Sequence, residues 1–183
     1  MVSIIAEHAC DLDLLPPKAN ILSLGCRGFL FDNHMESLGH HVVSVDIDKL
    51  DTDKKYFHVA ISDYDGMAGI QHDRDPQATR IKEGKDVPCY TLESFSYACG
   101  IDMWDLIKCD LEGAEYQIIM SLKQAPAKQI SCEFHLHTGI YTQNEMKLME
   151  AKLRELGYEF ALHQLTEAHG AGYNYWSSVF VLK

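Results

Sequence analysis

The chain has 183 residues, a hydrophobic fraction of 46%, a charged fraction of 23% and a formal net charge of −11. That size and balance suit one globular domain with its own core, and no apolar run is long enough for a membrane-spanning helix. The negative charge argues against a nucleic-acid backbone or an anionic membrane surface as partner, because both need clustered Lys and Arg.

From the N-terminus, Ile4, Ile5, Ala9, Leu12 and Leu15 fall at a spacing that predicts a short helix over Ser3–Leu15, stopped by Pro16-Pro17. Residues 1–17 are thus expected to form a lid or packing helix. No basic segment followed by an apolar core opens the chain, so no secretory leader is expected. Ile21–Leu24 reads as the first strand, Gly25-Cys26-Arg27-Gly28 as a turn and Phe29–Leu38 as the first helix. Such a turn lets backbone N–H groups approach a cofactor closely. His41–Val45 reads as the second strand and ends at Asp46, 21 residues after Gly25. An acid there is placed to bind ribose hydroxyls, though it could also cap a turn. The full Gly-x-Gly-x-x-Gly pattern is absent, so a pyrophosphate site is poorly supported. Tyr56–Val59 reads as a third strand. Residues 71–86 are polar, without periodicity, and contain Pro76 and Gly84, so a surface loop is expected there. Thr91 opens a helix as its N-cap.

Leu106, Ile107 and Cys109 make a central strand buried on both faces, followed by Asp110, Glu112, Gly113 and Glu115. Ligands bind at the carboxyl ends of strands in open α/β sheets, and folding does not require acids there. Helix capping would account for Glu115 better than for Asp110. In the next strand, Ile130–Phe134, alternation puts Glu133, His135 and His137 on one face. Three readings stand: a general base, His135 or His137; a weak divalent-metal site at Asp110, Glu133 and His135; or a buried Glu–His pair with a structural role. Thr142–Leu156 carries a capping box with Glu145 and a core stripe of Met146, Met149, Leu153 and Leu156. Tyr158–Leu162 and Tyr173–Leu182 read as an antiparallel pair. The six cysteines form no Cys-x-x-Cys pair and suit reduced core thiols of a cytoplasmic protein.

Asp105-Leu-Ile-Lys108-Cys-Asp110-Leu-Glu112-Gly113-Ala-Glu115 resembles the signature of the FkbM-type S-adenosylmethionine-dependent methyltransferases. The segments Val87-x-x-x-Thr91-Leu-Glu93 and Glu133-x-His135, and the loop with Ser62 and Asp63, are similar to that family's pattern as well. The resemblance implies a single domain, residues 1–183, with the three-layer Rossmann-like class I fold. Its sheet would be mostly parallel and seven-stranded, with an antiparallel last strand. It implies S-adenosylmethionine as cofactor, without a required metal, and O-methylation of a sugar or small secondary-metabolite-like acceptor. Gly25, Cys26, Gly28, Asp46, Ile47 and Asp110 would then bind the cofactor, with Ser62 and Asp63 at the adenine edge. His135, His137, Asp110 and Glu112 would form the catalytic set, with His135 or His137 as base. Ser23 and Arg27 depart from the family pattern, which usually has an acid two residues before the first Gly and a small residue or Asn two after it. That departure motivates one alternative, a cofactor-fold binding module without catalysis. A nicotinamide-dependent oxidoreductase is a second alternative, weakened by the absence of a Tyr-x-x-x-Lys pair.

Overall fold

The computed structural model describes residues 2–72, 79–136, 139, 141–167 and 174–183. In chain order it contains β1 (Val2–Ile5), β2 (His8–Asp11), a 3-10 turn (Leu12–Leu14), β3 (Asn20–Leu24), α1 (Leu30–Ser37), β4 (His41–Asp46) and β5 (Phe57–His58). Then follow β6 (Ala60–Ser62), β7 (Gly66–His72), β8 (Thr79–Thr91), α2 (Leu92–Cys99), β9 (Leu106–Cys109) and α3 (Glu115–Ser121). The remainder is β10 (Gln129–Phe134), α4 (Gln143–Glu155), β11 (Tyr158–Glu167) and β12 (Asn174–Leu182).

Seven strands form the main sheet in the order β11-β12-β10-β9-β3-β4-β5. β3 is parallel to β4 and β9, β9 to β10, and β4 to β5, whereas β12 is antiparallel to both β10 and β11. Both faces are covered. Ile21 of β3 and Leu106 of β9 pack toward Phe31 and Met35 of α1 and Cys10 of β2. On the other face Leu22, Leu24 and Ile107 pack with Phe95 of α2, Ile118 and Ile119 of α3, and Met149 and Leu153 of α4. This is the three-layer α/β arrangement expected. The parallel strands β3, β4, β9 and β10 run in register, so Gly25, Asp46, Asp110 and His135 leave the sheet along one edge.

The expected capping of α4 is present: Thr142 Oγ1 accepts from the backbone N–H of Glu145, and the Glu145 carboxylate accepts from that of Thr142. Thr91 caps α2 in the same way, accepting from Ser94 N–H at 3.1 Å. All six cysteines are free thiols. Among the described residues no helix is long and apolar enough to cross a membrane.

Two expectations are corrected. Residues 2–11 form a β-hairpin rather than a helix, with Ser3 opposite Cys10 and Ile5 opposite His8. The β-branched Val2, Ile4 and Ile5 favour strand, and the apparent helical spacing arose from two strands read end to end. The two turn residues, Ala6 (φ 46°) and Glu7 (φ 75°), are left-handed without being Gly or Asn, so the usual hairpin signal is missing. Within the stretch 71–86 expected to be a polar loop, the described residues 71–72 and 79–86 are strand. His72 pairs with Thr79 and Gly69 with Lys82, which makes β7 and β8 an antiparallel ribbon completed by β6 as a second, three-stranded sheet. Only one side of that ribbon is buried, through Ala68, Val87 and Cys89, and a half-solvated antiparallel strand is polar along its other side. Pro76 lies outside the described residues.

Candidate active site

The glycine turn meets the end of the central strand at very close range. Gly25 has φ +76°, and a Cβ placed on it would fall 1.9 Å from the carbonyl oxygen of Asp110. Its N–H donates to Val45 O at 3.0 Å, so one backbone position locks β4 and β9 together. Beside it lies a cavity of about 450 Å³ whose walls include Gly25, Cys26, Gly28, Asp46, Ile47 and Asp110. Six of the eight residues expected to bind the cofactor therefore share one cavity. Asp46 is buried, and its Oδ1 accepts from the backbone N–H of Asp48 at 2.9 Å. Burial raises its carboxyl above the usual range against the lowering effect of that hydrogen bond.

The two departures in the turn have partners. Arg27 is ion-paired with Asp48, which also accepts from Thr79 Oγ1 at 2.8 Å. Ser23 Oγ donates to Asp32 Oδ2 at 3.1 Å, and Ser44 Oγ donates to Asp32 Oδ1. Asp32, in the first turn of α1, is 1% exposed and lines the cavity.

At the ends of β9 and β10 stands a cluster of charged side chains. Lys108 is 3% exposed; its Nζ donates to Gly25 O and to Asp110 Oδ2, the latter at 3.1 Å. Burial works against the Lys108 charge, but Asp110, Glu133 and Asp32 together raise its pKa and the ammonium is retained. Burial likewise opposes the Asp110 charge, and Lys108, His135 and His8 together hold that carboxyl below its usual range. Glu115 is fully buried; its Oε1 accepts from Leu111 N–H at 3.0 Å and lies 3.0 Å from His135 Nδ1. The other ring nitrogen of His135, Nε2, faces Asp110 at 3.4 Å, Glu133 at 3.7 Å and Glu112 at 3.8 Å. Burial lowers the His135 pKa, but the hydrogen bond to Glu115 and the charges of Glu115, Asp110 and Glu112 raise it to about 10. His135 is therefore an imidazolium at neutral pH, ringed by acceptors. His8, at the hairpin tip, completes the cluster: its Nδ1 is 2.7 Å from Glu133 Oε1, its Nε2 is 3.7 Å from Asp110 Oδ2, and its ring stands edge-on to Phe31. His137 lies outside the described residues.

A second cavity, about 670 Å³, opens between the β7–β8 ribbon and the start of α3. Leu111, Glu112, Ala114 and Ile81 line both cavities, so Glu112 stands at their junction. Glu112 is left-handed (φ 52°) and is followed by Gly113 at φ 115°. Such backbone costs about 1–3 kcal/mol in a residue other than Gly, and it is tolerated where surrounding structure holds it. Burial raises the Glu112 carboxyl to about 7; His135 opposes the shift, and the like charges of Asp110, Glu115 and Glu133 add to it. Ser62 and Asp63, expected at an adenine edge, line this second cavity instead, with Ser62 Oγ donating to Asp63 at 3.1 Å. Their neighbours Ala60 and Ile61 face the first.

Two sets of donor atoms fall within 4.8 Å of one another: His8, Asp110 and Glu133, and Asp110, Glu112 and His135. The types and spacing are those of a divalent-cation site. The protein's own cations already occupy these acids, however: Lys108 on Asp110, and the His135 imidazolium facing Asp110, Glu112 and Glu133. We assign no metal to the cluster.

Sequence reasoning missed His8 and Asp32. His8 was hidden by the misread hairpin. Asp32 carries only the signal of an acid in a first helical turn, which most helices show.

The family model for the methyltransferase FkbM domain matches residues 30–160. A search of curated proteins finds no match. Among solved structures, a SAM-dependent methyltransferase from Methanosarcina mazei is similar at 11% identity, with 93% of this chain and 96% of that one covered and a TM-score of 0.47. A TehB-like SAM-dependent methyltransferase from Corynebacterium glutamicum is similar at 16% identity, over 93% of this chain and 84% of that one, with a TM-score of 0.47. A magnesium protoporphyrin IX methyltransferase from Synechocystis, with bound SAM, gives 11% identity, 91% and 71% coverage and a TM-score of 0.47. The segment matched by the family model runs from α1 into β11 and takes in Asp46, the Asp110–Glu115 loop and His135, and on that match the chain belongs to the FkbM methyltransferase domain family.

Proposed function

We propose that the protein transfers a methyl group from S-adenosylmethionine to a hydroxyl of a small-molecule acceptor, a sugar or a compound of secondary-metabolite type. The observation that carries this reading is the position of Glu112 at the junction of two cavities, one walled by the glycine turn and Asp46, the other open beside it. Gly25, Cys26 and Gly28 present backbone to the methyl donor, Asp46 accepts hydrogen bonds from ribose hydroxyls, and Ile47 and Ile61 give apolar faces for the base. Ser62 and Asp63 serve the acceptor side. The bound donor supplies an electrophilic methyl on a positively charged sulfur.

The chain's own work is to position the acceptor and remove its proton. His135 is unsuited to be that base, because one ring nitrogen is engaged by Glu115 and its proton is held to about pH 10. Glu112 titrates near 7 at the cavity junction and takes the role. Asp110, held ionised by Lys108, orients the acceptor and leaves the proton to Glu112.

The experiment is calorimetric titration with S-adenosylhomocysteine and, separately, with NAD, followed by transfer of an isotopically labelled methyl group to a panel of hydroxyl acceptors. Binding of the homocysteine compound alone, with label appearing on an acceptor, is expected. Binding of NAD alone would replace this reading with an oxidoreductase. Binding of the homocysteine compound, with no label on any acceptor, would favour the non-catalytic module.

A further inference from the structure

Asp32 is a buried carboxylate with an unusual lack of cations. Its two hydrogen-bond donors are neutral hydroxyls, Ser23 on β3 and Ser44 on β4. Among the described residues no Lys, Arg or His lies within ion-pair distance of it. Lys108 feels its charge, but that ammonium is engaged by Gly25 O and Asp110 Oδ2. An ionised carboxylate has about four acceptor sites, and two hydroxyls fill only two of them. Burying such a charge without a counter-ion is costly, and a group of this kind is retained where something completes it. A first-turn acid that merely answers the helix dipole stands at the surface; Asp32 is turned sideways against two strands and lines the cavity beside the glycine turn.

We propose that Asp32 is the seat of the ammonium group on the amino-acid end of the methyl donor. The proposal rests on the methyl-donor reading above and deepens it. The ligand brings the cation that the protein withholds, so the carboxylate is paired only when the cavity is filled. Ser23 and Ser44 fix the carboxylate plane from either strand. This also gives Ser23 a purpose: it leaves room for, and hydrogen-bonds, an acid that arrives from α1.

The test compares two ligands on two proteins by calorimetry: S-adenosylhomocysteine, which carries the ammonium, and 5′-methylthioadenosine, which lacks the whole amino-acid end. Asp32→Asn keeps the shape and removes the charge; one serine hydroxyl still donates to the amide oxygen and the other turns to accept from the amide N–H. The substitution should weaken S-adenosylhomocysteine about ten- to a hundredfold, the worth of a charge-assisted hydrogen bond, and leave 5′-methylthioadenosine unchanged. Equal losses for both ligands, or no loss for either, would overturn the assignment. If the variant does not fold, the wild-type protein still decides: the deaminated analogue of S-adenosylhomocysteine should bind about tenfold or more weakly than its parent, and equal affinity overturns the proposal. A wild-type protein that binds none of these nucleosides overturns the methyl-donor reading itself, which is distinguishable from a failure of Asp32 alone.

Discussion

Gly25→Ala should be among the most damaging single substitutions outside the central core, and its cost can be worked from geometry. The added Cβ would lie 1.9 Å from Asp110 O, against 3.4 Å for ordinary contact, so turn and strand must part by 3.4 − 1.9 = 1.5 Å. A left-handed Ala costs about 1–2 kcal/mol. Forcing the overlap costs about 1–3 kcal/mol. The Gly25 N–H to Val45 bond, strained by the same movement, adds about 1 kcal/mol. Reduced freedom of the unfolded chain returns about 0.4–1 kcal/mol. The net loss is about 2–6 kcal/mol, a fall in melting temperature of about 4–24 °C for a domain of this size. Gly100→Ala is the control, because Gly100 is also left-handed (φ +70°) but has nothing within 4 Å of an added Cβ. Thermal and urea unfolding of the two variants, with S-adenosylhomocysteine titration of each, separates conformational strain from overlap. If Gly25→Ala melts with Gly100→Ala and binds like the wild type, the turn does not press on Asp110 and the cavity wall described here is wrong.

Other outcomes follow from the charge cluster. Glu112→Gln should slow methyl transfer by about a hundredfold or more while S-adenosylhomocysteine affinity is kept, since a general base contributes about 10²–10⁴ to the rate. In the wild type that rate should rise with pH through about 7, as Glu112 ionises. His135 has its folded pKa raised from 6.5 to about 10, so its stabilisation is complete below pH 6.5 and is lost as pH rises toward 10. Melting curves across that range should show the decline, and His135→Phe should flatten it; an unchanged slope would remove the imidazolium from the account.

What could be read in advance was what the chain states locally. The Gly25 turn, the acid at Asp46, the acids after Cys109 and the Thr142–Glu145 capping box all lie within a few residues of the elements they mark. The alternation that paired Glu133 with His135 needed only one strand. What stayed hidden depends on distant partners. The hairpin is held to the sheet where Asp11 N–H donates to Gln129 Oε1 at 2.6 Å across 118 residues, and no local pattern announces that bond. The Asp32 seat needs hydroxyls from two strands, each ordinary by itself. That Ser62 and Asp63 line the second cavity stayed hidden because the sequence does not say which way the β6–β8 sheet folds back. The roles of His135 and Glu112 turned on what faces each once buried: the acids around His135 outweigh burial and keep its proton, whereas burial raises the Glu112 carboxyl.

The order of the main sheet has a consequence for how the chain comes together. β12 follows β11 in the sequence yet lies between β11 and β10, pairing Ile130 with Phe180 on one side and Tyr158 with Leu182 on the other. Until residues 174–182 emerge, β10 presents an open ladder edge with six buried side chains behind it. During synthesis the nascent chain is then sticky at that edge, and closure waits on contacts remote in sequence, which slows folding. A chaperone that shields exposed strand edges would act at this step, before the pocket residues on β9 and β10 are held in place.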